Sequence, residues 1–216
     1  MRIKKIIAAI DPFFKAFLLF ISVILFSTCN KEEPIPAYIH IDGITLTTNY
    51  STQGSASHKI VDAWIYIDDQ LVGAFELPCT VPVLYHGDHK VKVYAGIKEN
   101  GISETRIPYP FYERFEQTVT LTPGDIITMA PVVTYNTVSA TFTWMEDFET
   151  AIPSICDSMV STDTTIQVVS FPVFEGSQSG GIYLTGTIDN YVEISCERYV
   201  LPKAGADVFL ELNYNC

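Results

Sequence analysis

The densest group of hard oxygen ligands in the chain is Glu146, Asp147 and Glu149, three acids within four positions. Calcium takes carboxylate and carbonyl oxygens, so this run is a candidate calcium site; a solvated strand edge is the other reading of the same residues. Glu146 and Glu149 do not qualify as a glycosidase pair, because that chemistry needs two carboxylates facing each other across a cleft. His86-Gly87-Asp88-His89 has the residue types of a metal pair but falls at a turn before an alternating strand, which favours a structural role. Cys79, Cys156, Cys196 and Cys216 contain no C-x-x-C spacing, so a zinc site is not expected. Cys156 and Cys196 could form a disulfide, and buried free thiols are the alternative. The run Pro108–Phe115 (PYPFYERF) concentrates four aromatics on a segment carrying Pro108 and Pro110. Aromatic rings stack on sugar faces and anchor protein interfaces, which makes Tyr109, Phe111 and Tyr112 a candidate binding patch. The competing reading is a hydrophobic plug between two units. No G-x-S-x-G, H-E-x-x-H or P-loop occurs, and the chain is expected not to be an enzyme.

The segments that must position these residues read as strands. Ala37–Ile41 and Ile44–Thr48 flank Asp42-Gly43. Ile60–Ile67 and Gln70–Glu76 are joined by Asp68-Asp69, an acidic pair between apolar runs that predicts a hairpin. Pro78 and Pro82 are expected to flank a connection. His89–Ile97 alternates at period two, with Lys90 and Lys92 on one side and Val91 and Val93 on the other. Thr118–Leu121 and Ile126–Met129, separated by Thr122-Pro123-Gly124-Asp125, predict a further hairpin. Helical periodicity is absent after the N-terminal region. The class is therefore all-β, and a sandwich is the expected architecture.

Arg2, Lys4 and Lys5 open the chain, and Ala16–Phe26 (AFLLFISVILF) is an apolar run broken by Ser22. A helix needs roughly 20 apolar residues to span a bilayer core, whereas this length suits the hydrophobic region of a secretory signal. Leu25, Phe26, Ser27 and Thr28 then precede Cys29. The segment resembles a bacterial lipoprotein signal, in which the cysteine is diacylated and becomes the mature N-terminus; Phe26 and Thr28 depart from the commonest lipobox residues. Asn30-Lys31-Glu32-Glu33 resembles the export signal of Bacteroidota lipoproteins. By that resemblance residues 1–28 are a signal peptide, 29–35 a lipidated tether, Cys29 the lipid attachment point, and Lys31, Glu32 and Glu33 the signal for surface exposure. The implied location is the outer membrane, anchored by lipid and facing outward. Removing residues 1–28 leaves 9 basic against 24 acidic residues, a balance of −15. Such a surface repels phosphate backbones, so nucleic acid is not an expected partner.

Two further resemblances concern the body of the chain. "DAWIYIDDQLVGAFELP" followed by "VPVLYHGDHKVKVYAG" resembles the PEGA-type surface module, through Ile65, Ile67, Asp68 and Gly73, then Gly87, His89, Val91 and Val93. Asp69 stands where that pattern prefers glycine. The resemblance implies a β-sandwich over residues 36–135 that acts as a spacer or interaction domain. "FTWMEDFE", "FPVFEGSQSGGIYLTG" and "YVEISCERYVLPKAGADVFLELNYNC" resemble the opening half of a jelly roll of the kind found in carbohydrate-binding and adhesion modules. A jelly roll needs about eight strands, so residues 140–216 are expected to be a truncated part of one. The expected function is a non-catalytic surface lipoprotein that binds glycan or a surface protein. The alternative is an accessory part of a longer surface enzyme whose catalytic domain lies beyond residue 216.

Overall fold

The computed structural model describes residues 12, 17, 33–155, 165–184, 186 and 191–216. Cys29, Lys31, Glu32 and Cys156 lie outside the described residues. The described chain is almost entirely strand and loop. From residue 33 onward its helical turns are α1 (Tyr50–Gln53), capped by the Asn49 side chain, and a 3₁₀ turn at Glu99–Gly101.

Ten strands precede residue 135: β1 (Ala37–Ile41), β2 (Thr45–Thr47), β3 (Asp62–Ile67), β4 (Gln70–Glu76), β5 (Cys79–Val83), β6 (Gly87–Lys98), β7 (Arg106–Pro108), β8 (Phe115–Leu121), β9 (Ile126–Met129) and β10 (Val132–Thr134). One sheet has the order β5-β1-β9, with β1 antiparallel to β5 and parallel to β9. The parallel pair continues, past a break at Asp42-Gly43 and Pro131, as β2 beside β10. The second sheet has the order β4-β3-β6-β7, and β8 pairs with the same edge of β6 as β7. Period-two alternation turns Ile39 and Ile41 of β1, Ile65 and Ile67 of β3, and Val91 and Val93 of β6 into one core in which each is 0 % exposed. Fully burying side chains of this size contributes about 1.5–3 kcal/mol each. The result is a β-sandwich-like, all-β fold, and every buried hydrophobic residue of the described chain lies between Ala37 and Tyr135.

Several local features differ from the sequence expectation. The stretch between Pro78 and Pro82, expected as a connection, belongs to strand β5, which runs through Pro82. β5 is an edge strand, the place in a sheet where a residue without an N–H is tolerated. Thr118–Leu121 and Ile126–Met129 are not a hairpin: β8 pairs with β6 and β9 pairs with β1 in the other sheet. The turn at Thr122–Asp125 therefore arches between sheets. Both strands bury apolar side chains, Leu121 and Met129 among them, and facing the core from opposite sheets satisfies that pattern as well as pairing would. The β3–β4 hairpin forms as expected. Asp68 and Asp69 sit at φ 47° and 67°, the positive values that a tight type I′ connection requires.

Beyond Tyr135 the described residues form one two-stranded ladder, β11 (Gln167–Val169) with β12 (Ser179–Gly181). Ala140, Phe142 and Phe209 pack on the core from this part of the chain.

Candidate functional site

The aromatic run is a bulge in a sheet edge. Pro108 pairs with Gly96 and Phe115 with Val93, so six residues, 109–114, stand opposite Tyr94 and Ala95 alone. The excess chain folds over the end of the core, held by the Tyr109 N–H donating to the Ala95 carbonyl at 2.8 Å. Tyr109 is buried, at 7 % exposure, while Phe111 and Tyr112 are half-buried. Tyr109 contacts Phe111, Tyr112 and Phe209 with ring centroids 5.5, 4.5 and 5.1 Å away, and the cluster runs on through Tyr112–Tyr135 and Tyr135–Phe142. The Tyr109 and Tyr135 hydroxyls both donate to the Glu211 carboxylate, the latter at 3.1 Å. Burial, reinforced by Glu211, pushes the Tyr109 phenol well above its ordinary range. Burial and the same carboxylate push Tyr112 up to about 12. These three rings meet one another and the segment around Phe209, rather than standing clear as an open platform.

The acidic run is dispersed among three structural tasks. Glu146 accepts from the Phe148 N–H at 2.7 Å and from the Ser154 hydroxyl at 2.7 Å. Asp147 accepts from the Glu149 N–H at 3.0 Å and the Tyr50 hydroxyl at 2.8 Å, and these bonds, the first above all, hold its carboxyl below the usual range. Glu149 accepts from the Ser177 and Gln178 N–H groups at 2.6 and 3.1 Å. The three carboxylates thus close three different turns and do not converge as the calcium reading requires. Among the described residues no three His, Cys, Asp or Glu side chains are grouped to hold a metal ion.

His89 is bound through both ring nitrogens, Nδ1 to the Asp68 carboxylate at 2.5 Å and Nε2 to the His86 carbonyl at 3.1 Å. A carboxylate and a carbonyl are both acceptors, so this arrangement favours the imidazolium, which alone donates from both nitrogens. Asp68 raises the His89 pKa, and His89 lowers that of Asp68. Asp68 also accepts from the Lys90 N–H at 3.0 Å, while Lys92 pairs with Asp69. The β3–β4 turn is thereby fastened to β6, and the His-Gly-Asp-His run serves that turn. Cys79, Cys196 and Cys216 are free thiols, and burial raises the Cys79 pKa. Glu33 is exposed at the start of the described chain.

Sequence reasoning did not single out the outer face of the five-stranded sheet. Asp62, Trp64 and Tyr66 alternate with the core residues of β3; Asp62, 1 % exposed, is paired with Arg106, whose other amino group reaches Glu76 at 3.3 Å. The charged residue at the head of an otherwise apolar strand was the available signal. Glu211 carried no such signal, since its partners lie 102 and 76 residues away in the chain. Comparison with family models, with curated proteins and with solved structures gives no match to this chain.

Proposed function

We propose that this protein is a non-catalytic lipoprotein of the cell surface, held in the outer membrane through Cys29. In this reading a PEGA-like sandwich presents the following jelly-roll-like segment to a glycan or a surface protein. The observation that carries it is positional. Cys29 stands between the apolar run Ala16–Phe26 and the Lys31-Glu32-Glu33 cluster, and β1 begins only eight residues later. That order is the one in which a lipidated cysteine, an export signal and a folded module follow one another. A thioether-linked diacyl group supplies more than one chain, enough for lasting attachment where a single chain binds weakly. The PEGA likeness is supported by the β3–β4 hairpin around Asp68 and by His89 at the head of the long strand β6.

The test is metabolic labelling with palmitate in a bacterial host that processes lipoproteins. The wild type should take up label and sediment with membranes, and Cys29→Ala should do neither. Replacing Lys31, Glu32 and Glu33 by alanine should keep the lipid but remove accessibility to protease added to intact cells. An unlabelled wild-type chain would refute the anchor, and unchanged protease accessibility would refute the export signal.

A further inference from the structure

The end of the sandwich where the tether enters carries four of the exposed apolar side chains of residues 33–135. Three connections meet there: the tether before β1, the Leu84–His86 loop between β5 and β6, and the Thr122–Asp125 turn between β8 and β9. The Gly124 N–H donates to the Pro36 carbonyl at 2.9 Å, tying that turn to the tether. Between them Glu33, Pro34, Ile35, Leu84, Tyr85, His86 and Pro123 line an open cleft of about 390 Å³. Seven large apolar side chains are exposed between residues 33 and 135, and four lie towards this end. Ile35 and Leu84 are each 67 % exposed, Ile126 opens β9 at 64 %, and Leu71 follows the β3–β4 turn at 53 %. Of the acids nearby, Asp68 is engaged with His89, Asp69 with Lys92, and Asp88 with the Thr120 hydroxyl at 2.5 Å, while Glu33 and Asp125 are exposed to solvent. Three of the five acids at this end thus already have partners, and the two solvent-facing ones, Glu33 and Asp125, flank the apolar groups.

We infer that this end of the sandwich is a membrane-seating surface, with Ile35 and Leu84 entering the interfacial region of the bilayer beside the anchor. The inference rests on the lipoprotein reading and adds an orientation to it. Ile35 stands six positions after Cys29, and an extended chain covers at most about 3.6 Å per residue, so Ile35 cannot stand farther than roughly 22 Å from the acylated residue. Two exposed aliphatic side chains are too few to recruit a protein from solution. Tethering makes their encounter with the bilayer intramolecular, and a high effective concentration then suffices. Seating this end also directs the opposite end, with Glu99–Gly101, away from the membrane.

The experiment is hydrogen exchange on the full acylated protein in phosphatidylcholine vesicles, set against Cys29→Ala protein mixed with the same vesicles. Seating should slow the amides of residues 84–88 and 122–126 by at least about threefold while leaving 99–104 unchanged. Ile35→Glu with Leu84→Glu should abolish that slowing while the protein still floats with the vesicles; both side chains are exposed, so an unchanged melt checks the fold. A chain that carries lipid and floats but shows no slowing at 84–88 overturns the seating and leaves the anchor intact. A chain that neither carries lipid nor floats overturns the anchor and the seating with it. Equal slowing in Cys29→Ala protein mixed with the same vesicles would show that the contact does not need the anchor and also overturns the seating.

Discussion

His89 shows how a residue with the chemistry of a ligand is used to hold a turn. Its two nitrogens face Asp68 and the His86 carbonyl, its ring packs on Tyr85 at a centroid distance of 5.0 Å, and Asp88 adds a weaker attraction. The His89 pKa is raised by these acceptors, so its contribution to stability is complete below the unfolded value near 6.5 and is lost as pH rises through the folded value. Asp68 behaves oppositely: its lowered pKa gives stability above the unfolded value near 3.8 that is lost as pH falls through the folded one. The pair therefore contributes most between about pH 4 and 6.5. Urea midpoints measured at pH 5.5 and pH 9 should fall across that interval, and His89→Asn should flatten the difference. An equal fall in the variant would show that other groups set the dependence. The same contacts suit an aspartate at position 69 of this turn. Lys92 holds its side chain, and aspartate is among the few non-glycine residues that tolerate positive φ.

At the scale of elements, the aromatic bulge between β7 and β8 and the extended segment around Phe209 form one unit. Tyr109 and Tyr135 are 7 % and 5 % exposed, with their hydroxyls directed to Glu211, so each ring packs apolar atoms while keeping its polar tip bonded. Tyr109→Ala removes a buried ring and should cost roughly 3–5 kcal/mol. Glu211→Ala leaves two phenols without their acceptor and should cost about 1–3 kcal/mol, with Glu211→Gln intermediate. Thermal melts of the three variants check this order. A Tyr109→Ala melt within a degree of the wild type would mean that the ring is not buried in solution, and would restore the open binding patch. The difference between the readable and unreadable parts of the fold has a physical cause. Alternation in β3 and β6 and the turn at Asp68-Asp69 are local signals, and they placed the central hairpin and the long strand correctly. Whether β8 and β9 pair with each other or arch between sheets depends on β1 and β6, which lie far away in sequence. Proline at position 82 reads as a break unless the strand is known to be an edge. The dispersal of Glu146, Asp147 and Glu149 follows from Tyr50, Ser154 and Ser177, none of which a local reading connects to them.

At the scale of the whole molecule, the burial of apolar side chains is uneven along the chain. The core joins the two sheets within residues 37–135, whereas the later segment leaves Phe171, Val200 and Leu210 at 83 %, 93 % and 72 % exposure. What it offers the first part includes Ala140, Phe142 and Phe209 against the core, Glu211 against the two tyrosines, and the Asp147–Tyr50 and Asn213–Ser57 hydrogen bonds. A piece comprising residues 36–135 should therefore be strand-rich and melt cooperatively, because both faces of its core are supplied from within. It should also be less stable than the chain extending to residue 216. Removing Phe142, Phe209 and Glu211 uncovers the rings of Tyr109, Phe111 and Tyr135 and deletes the acceptor of two phenols, a loss of about 2–4 kcal/mol. Residues 140–216 alone should show no cooperative transition and should bind a hydrophobic dye, since a two-stranded ladder cannot bury its own apolar face. Circular dichroism melts of the two pieces decide the matter. A sharp transition in the 140–216 piece would show that it forms its own core. A 36–135 piece as stable as the longer chain would show that the Phe209 and Glu211 contacts contribute nothing in solution, and the aromatic bulge would then be free to meet a partner.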